Sequence, residues 1–308
     1  MSDLPSQQRT DAPADPEELE AQAPQAVREI SPLATVGAVH LTVADLGRSL
    51  AFYRQAVGLE VLDEGGPRAV LGAGGHELLV LVEQPGARPV PGSTGLYHFA
   101  LLVPERPDLA RWLAHAARDG VAMAGLSDHF VSEALYLSDP DGHGIEIYWD
   151  RPRSVWEGVV GERLTTQRLD VDSLFSELSD PAGEPFDGLP GGTVMGHVHL
   201  KVASIPDTVA FYRDVLGFGL MAQLRLQAAF LAAGGYHHHL GANTWESAGG
   251  EAPPDGSASL RYATIVLPDR GELLRVAAHV EAAGALREHA DGPFAVDPSG
   301  NRLALTAA

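Results

Sequence analysis

The pattern of apolar and polar residues predicts a regular unit that begins near Leu33. Residues 36–43 alternate between apolar and small or polar side chains, which is typical of a strand with one buried face. Asp45 is suited to cap a helix, and apolar residues then recur at helical spacing until Gly58. Three short strand-like runs complete a β-α-β-β-β unit: 59–62, 69–71 and 77–82.

The same order of elements recurs along the chain. A strand at 96–103 and a helix at 107–119 precede strands at 133–137 and 145–148. Residues 39–62 align without a gap with residues 198–221, and 10 of these 24 positions are identical. Asp-Pro-x-Gly at 139–142 also recurs at 297–300. The repeat predicts an α+β protein made of four β-α-β-β-β modules.

Composition and spacing predict how these modules are organised along 308 residues. The N-terminal stretch is rich in Gln, Pro, Ala and Glu and has little to bury, which predicts disorder. The predicted divisions are an acidic disordered tail at 1–31, a first double module at 32–152, a connector at 153–192 and a second double module at 193–308.

The charge and the residue types narrow the chemistry. The chain has no cysteine, so a metal site must use His, Asp, Glu or Tyr, and 13 histidines are present. A net charge of −20 disfavours binding to nucleic acid. No apolar run is long enough to span a membrane and no signal peptide is evident, so a cytoplasmic protein without a membrane partner is expected.

Three polar residues occupy predicted strands of the first double module. His40 and His98 lie on the first strands of their modules, and Glu146 lies on a last strand. Two histidines and one carboxylate with open positions suit non-heme Fe(II), or Mn(II). The sequence therefore predicts a metal site formed by His40, His98 and Glu146. The alternative is that each is an ordinary core or surface residue that binds no metal.

The second copy provides a contrast. Its counterparts of the three residues are His199, Tyr262 and Ala304, so one predicted ligand of three is kept and the second site is predicted to be degenerate. The run His237–His239 leaves open a weak second site with His199; the alternative is an exposed polar strand end.

Other residues are candidates for catalysis beside the metal. His129 and Tyr136 precede Glu146 on segments predicted to converge on its strand, and His76 begins the last strand of module one. A histidine can move protons near neutral pH, and a tyrosine hydroxyl can bond a substrate oxygen. Packing or exposure without a catalytic role is the alternative for each.

The sequence resembles the vicinal oxygen chelate superfamily, which includes glyoxalase I, bleomycin-resistance proteins and extradiol dioxygenases. The stretches 95–100, 127–129, 134–142, 145–148 and 235–245 are similar to its CatE-type branch of catechol-2,3-dioxygenase-like proteins. The resemblance implies cup-shaped mixed sheets, with His40, His98 and Glu146 as ligands. It also implies acid–base and substrate-orienting roles for His129 and Tyr136. In familiar four-module relatives, the metal instead lies in the C-terminal pair.

The resulting functional expectation is a metal-dependent, extradiol-type ring-cleaving dioxygenase. It would act on dioxygen and a small catechol- or hydroquinone-like diol, with Fe(II) as the first choice of metal and Mn(II) as the second. The alternatives are a glyoxalase-type isomerase or thiol transferase, and a non-catalytic protein that binds ligands as bleomycin-resistance proteins do. A homo-oligomer is compatible with the sequence.

Overall fold

The computed structural model describes residues 29–288 and 293–308. Most of the predicted tail, residues 1–28, lies outside the described residues. The remainder forms two curled mixed sheets with helices, and the predicted α+β fold with repeated modules is confirmed.

Each module contributes one long first strand, one helix and three further strands. The first module comprises β1 (Thr35–Val43), α1 (Leu46–Phe52), a π-helical turn (Tyr53–Val57), β2 (Glu60–Gly65), β3 (Arg68–Ala73) and β4 (His76–Glu83). The second comprises β5 (Gly95–Leu102), α2 (Arg106–Asp119), β6 (Gly125–Asp128), β7 (Ser132–Ser138) and β8 (Gly144–Asp150).

The connector contains only short elements, and the second half repeats the order of elements of the first. The connector holds α3 (Arg153–Trp156), α4 (Val160–Arg163), β9 (Gln167–Arg168) and α5 (Val171–Phe175). The third module comprises β10 (Val194–Lys201), α6 (Ile205–Ala210), a π-helical turn (Phe211–Val215), β11 (Gly219–Leu224), β12 (Ala228–Ala232) and β13 (Leu240–Asn243). The fourth comprises β14 (Leu260–Leu267), α7 (Arg270–Ala282), β15 (Leu286–Arg287), β16 (Phe294–Val296) and β17 (Arg302–Ala307).

The modules pair across the two halves of the chain. An eight-stranded sheet has the order β15-β16-β17-β14-β1-β4-β3-β2, and a nine-stranded sheet has the order β11-β12-β13-β10-β5-β8-β7-β6-β9. Strand β1 is antiparallel to β14, and β5 is antiparallel to β10. Module one therefore pairs with module four and module two with module three. This arrangement differs from the predicted split, in which each half of the sequence forms its own site.

The repeated sequence motifs have a structural role that the fold explains. The hydroxyl of Tyr53 donates a hydrogen bond to Asp139 at 2.9 Å, and that of Tyr212 donates to Asp297 at 3.0 Å. Both tyrosines are fully buried. Each bond ties the helix of one module to the Asp-Pro-x-Gly turn of the next. A buried hydroxyl requires such a partner, so both ends of the bond recur in the sequence.

The sheets and helices enclose an extensive apolar core. Val39, Leu41, Phe99 and Trp112 are among its fully buried members. Asp45 caps α1 as predicted, because its side chain accepts a hydrogen bond from the amide of Arg48 at 2.8 Å. In residues 29–288 and 293–308, the helices are too short or too polar to cross a membrane.

Candidate active site

A cavity of about 820 Å³ opens on the nine-stranded sheet. Modules two and three both contribute to its wall, and the connector covers one side through residues 164–166. The titratable side chains on the wall include His98, His129, Tyr136, Glu146, His199 and His238. Because the two modules belong to different halves of the sequence, neither half forms this cavity alone.

A buried cluster of two imidazoles and one carboxylate lies at the base of the site. Nε2 of His98 is 2.9 Å and Nε2 of His197 is 3.1 Å from Oε2 of Glu146. Ligand atoms of these three residues lie within 4.8 Å of one another. All three side chains are buried, so their charges and lone pairs are shielded from water.

The strand pairing also brings His199 to this place. His98 on β5 lies directly opposite His199 on β10, and their ring centroids are 5.0 Å apart. Nε2 of His199 is buried and has no hydrogen-bond partner among the described residues, whereas Nε2 of His98 contacts the Glu146 carboxylate. A buried nitrogen without a partner is costly unless a ligand satisfies it. Such a nitrogen on His199, on the same cavity wall as His98 and Glu146, therefore indicates a metal or substrate site.

A glycine makes room for the His199 ring. A Cβ atom at Gly241 on β13 would lie 2.8 Å from Cγ and Nδ1 of His199. Because β13 is the parallel neighbour of β10, the ring lies over the β13 backbone at this position. Gly241 thus permits an arrangement that a larger residue would obstruct.

The electrostatics favour the protonation states that a metal requires. Burial alone would raise the pKa of Glu146, but the imidazoles of His197 and His98 hold that pKa well below its ordinary value. Burial, with the nearby His98 and His197, lowers the pKa of His199 well below its ordinary value. A charged carboxylate and neutral imidazoles are the forms that bind metal ions.

His129 and Tyr136 form a hydrogen-bonded pair at the edge of the cavity. Nδ1 of His129 lies 2.8 Å from the carbonyl oxygen of Thr165, which only accepts, so Nδ1 carries the proton. The neutral ring then has a lone pair on Nε2, which accepts the hydroxyl proton of Tyr136 at 2.8 Å. Burial, followed by the charge of Glu146, raises the pKa of Tyr136 well above its ordinary value.

Aromatic side chains surround the opening of the cavity. The ring centroid of Tyr97 is 5.3 Å from those of both His199 and Trp245. Phe230 lies against the other side of His199 at 5.8 Å. Nζ of Lys201 lies 3.9 Å from Oε2 of Glu246, and both residues line the cavity. These surroundings suit a flat aromatic ligand without strong negative charge.

The structure brings together only part of the predicted site. His98, Glu146 and Tyr136 meet at the cavity because their strands belong to one sheet, and His129 joins them directly after β6. His40 does not join them, because β1 belongs to the eight-stranded sheet and the His40 ring stacks on Tyr262 at 3.9 Å. The grouping of His40 with His98 and Glu146 is therefore corrected.

His76 is likewise not placed at the cavity. It begins β4 in the eight-stranded sheet, pairs with Ala73 and is exposed. Its predicted place beside the metal depended on module one pairing with module two. The sheet order instead separates β4 from the strands that line the cavity.

The sequence interpretation missed His197 and underestimated His199. Both lie on β10 two positions apart, so they face the same side of the sheet. The pattern His-Val-His was a usable signal, but its value depended on knowing that β10 pairs with β5. The run His237–His239 precedes β13 and is buried, so it is not an exposed strand end.

Comparisons with known proteins agree with this architecture. The profile of the Glyoxalase/Bleomycin resistance protein/Dioxygenase superfamily matches residues 35–147 and 194–305. The catechol-2,3-dioxygenase of Bacillus subtilis (strain 168) is 44% identical over 272 residues, which cover 85% of this chain and 93% of that protein.

Solved structures share the fold at low sequence identity. Glyoxalase I from Zea mays is 17% identical with a TM-score of 0.52, covering 88% of this chain and 92% of that chain. The cppA protein from Streptococcus pneumoniae TIGR4 is 13% identical with a TM-score of 0.52, covering 89% and 99%. With its two matched regions and its catechol-2,3-dioxygenase relative, the chain belongs to the Glyoxalase/Bleomycin resistance protein/Dioxygenase superfamily.

Proposed function

We propose that this protein is a metal-dependent, extradiol-type ring-cleaving dioxygenase that acts on a catechol-like diol. The observation that carries the proposal is a buried set of imidazoles and one carboxylate on the wall of a cavity that also holds the His129–Tyr136 pair. The catechol-2,3-dioxygenase relative, which matches most of the chain, supports the same activity.

The donor set fits a non-heme metal ion. His98, His199 and Glu146 line the cavity. Nε2 of His98 contacts Glu146 at 2.9 Å, and Nε2 of His199 is buried without a hydrogen-bond partner in the described chain. We assign these three residues as the ligands. His98 and His197 both contact Glu146 through Nε2, but His197 does not line the cavity, so we assign it the task of orienting that carboxylate.

Two histidines and one carboxylate leave open positions for other ligands. Fe(II), or Mn(II), held by this set would supply a redox-active centre where the oxygens of a diol and dioxygen meet. Cysteine is absent from the chain, which is in keeping with a site of nitrogen and oxygen donors.

The protein's own residues would manage the substrate protons. The Tyr136 hydroxyl is close to the cavity and donates to Nε2 of His129, so a substrate oxygen next to Tyr136 can bond to its hydroxyl oxygen. His129 can accept the proton from Tyr136 because its other nitrogen is anchored to the Thr165 carbonyl. Tyr97, Phe230 and Trp245 would hold the aromatic ring and exclude water from one side.

Oxygen consumption by the reconstituted enzyme tests the proposed activity. The full chain is loaded with Fe(II) under anaerobic conditions, and oxygen is admitted with catechol, a substituted catechol or hydroquinone. We expect oxygen uptake with at least one diol and a ring-opened product by mass spectrometry. A glutathione hemithioacetal should not be isomerised by the same protein. Full metal occupancy without oxygen uptake on any diol would refute the activity.

A further inference from the structure

A buried chain of hydrogen bonds connects Asp150 to the cavity wall. Oδ1 of Asp150 lies 2.8 Å from Nε2 of His237. Nδ1 of His237 in turn lies 2.8 Å from Nδ1 of His238, which lines the cavity. The His237 side chain is completely buried and the His238 side chain nearly so. Neither the proposed ligand set nor the His129–Tyr136 pair uses this chain of hydrogen bonds.

The direction of each bond follows from which atoms carry protons. A carboxylate only accepts, so Nε2 of His237 is the donor to Asp150. When His237 is neutral, its Nδ1 carries no proton, and the proton between the two rings belongs to Nδ1 of His238. Nε2 of His238 is left as a lone-pair acceptor, and it makes no hydrogen bond with any described residue.

The other oxygen of Asp150 is also fixed. The Tyr236 hydroxyl donates to Oδ2 at 2.6 Å, and the Tyr148 hydroxyl lies 2.9 Å from that of Tyr236. Since the Tyr236 proton is directed at Asp150, Tyr148 is the donor between the two tyrosines. A Cβ atom at Gly196 would overlap the Tyr148 hydroxyl. Glycine at this position therefore leaves room for that hydroxyl. Both carboxylate oxygens of Asp150 therefore accept hydrogen bonds.

The alternating direction of the side chains on β8 places this chain of hydrogen bonds on the same side as the metal cluster. Glu146, Tyr148 and Asp150 lie two positions apart and therefore share one face of the strand. The His238 ring lies against that of His197, with a centroid distance of 4.1 Å and a tilt of 49° between the rings. One strand therefore carries both the carboxylate of the cluster and the carboxylate that anchors the histidine chain.

We infer that Asp150 is a positioning residue that acts through His237 to keep His238 in the tautomer whose Nε2 accepts a hydrogen bond from a substrate hydroxyl. The inference deepens the proposed function and depends on it for the identity of the substrate. The tautomer itself is a property of the protein alone. Hydrogen bonds to a carboxylate are stronger than neutral ones, which is why Asp150 can impose the order on both rings.

Nitrogen NMR of the full chain measures the tautomer directly. In metal-free protein labelled with ¹⁵N-histidine, long-range ¹H–¹⁵N correlations distinguish a proton on Nδ1 from one on Nε2. We expect the His238 proton on Nδ1 in the wild type and on Nε2 in His237→Phe. His239→Asn, in the same run of three histidines, is the matched control and should leave the His238 tautomer unchanged. A wild-type proton on Nε2, or no change in His237→Phe, would overturn the inference.

Asp150→Asn separates positioning from folding. It keeps the size of the side chain but removes its charge, so we expect a mixture of His238 tautomers. In the Fe(II)-loaded enzyme, kcat/KM for the diol should fall about 10-fold while the metal content stays unchanged. An unchanged tautomer in this variant would overturn the role of Asp150. Absence of turnover in the wild type would instead refute the proposed function and leave the NMR result standing.

Discussion

Single residues of the site are distinguished by hydrogen-bonding capacity that the protein itself does not use. His98 and His199 face each other across β5 and β10. Nε2 of His199 is buried without a partner in the described chain, and Nε2 of His98 contacts only the carboxylate of the cluster, Glu146. By contrast, His40 stacks on Tyr262 in the other sheet. The difference between these equivalent positions is what separates a candidate ligand from a packed side chain.

The hydroxyl of Tyr136 is expected to contribute to turnover and not to metal binding. Tyr136→Phe removes the proton that is shared with His129 but leaves the ring in place. We predict a fall in kcat of roughly 100-fold with unchanged iron content, because acid–base groups typically contribute at least that much. Oxygen-uptake kinetics measure it, and Tyr262→Phe in the other sheet is the control. Wild-type kcat in Tyr136→Phe would exclude Tyr136 from catalysis.

His239 is expected to make the fold sensitive to acid. Burial, with the neighbouring His237 and His197, lowers the pKa of His239 from 6.5 to about 4. The unfolded chain therefore takes up this proton first, and stability is lost as the pH falls from 6.5 towards about 4. Complete protonation would cost about 3 kcal/mol.

Replacing His239 with asparagine tests whether His239 causes this sensitivity to acid. Nδ1 of His239 accepts the backbone N–H of Ala233 at 3.1 Å, and Oδ1 of asparagine can do the same without titrating. Urea unfolding of His239→Asn should show a smaller loss of stability between pH 7 and pH 4.5 than the wild type. An equal loss in both proteins would assign the acid sensitivity to other groups.

At the scale of secondary-structure elements, the sequence pattern predicted individual elements well but not their partners. The alternation at 36–43, the cap at Asp45 and the glycine at 58 gave β1, α1 and the end of its turn, since these signals are local. The pairing of β5 with β10 joins residues about a hundred positions apart, and no local signal specifies it. His98 and Glu146 were predictable because β5 and β8 belong to one module.

The close approach of β13 to the His199 ring leads to a prediction at this scale. Gly241→Ala would place a Cβ atom 2.8 Å from the ring, which must then move. We expect affinity for Fe(II) to fall about 10-fold, as for other changes that misorient a ligand. Gly219→Ala on β11 is the control, because its nearest atom would be 3.4 Å away. Equal affinities would show that the His199 ring is not a ligand.

The whole molecule carries a net charge of −20, which disfavours anionic ligands. The cavity adds little to attract them, since Lys201 on its wall lies 3.9 Å from Glu246. An uncharged diol therefore suits both the local and the overall charge. The proposed site also depends on the whole chain, because it uses module two from one half and module three from the other.

Removing the charge of Glu246 should shift the substrate preference. Glu246→Gln leaves Lys201 free to attract a carboxylate, an effect of about 1 kcal/mol or 5-fold in water. We predict that kcat/KM for 3,4-dihydroxybenzoate rises by this factor relative to catechol at low salt. Glu60→Gln in the other sheet changes the net charge equally and should not alter the ratio. The same ratio in both variants would remove Glu246 from substrate selection.

The central claim is that modules two and three hold the metal through His98, His199 and Glu146. Anaerobic Fe(II) titration of His199→Ala, His197→Ala and His40→Ala tests it most directly. We predict that His199→Ala loses iron binding, that His197→Ala is weakened 10- to 100-fold as an orienting residue would be, and that His40→Ala binds as the wild type does. Loss of iron binding in His40→Ala, with retention in His199→Ala, would contradict the account.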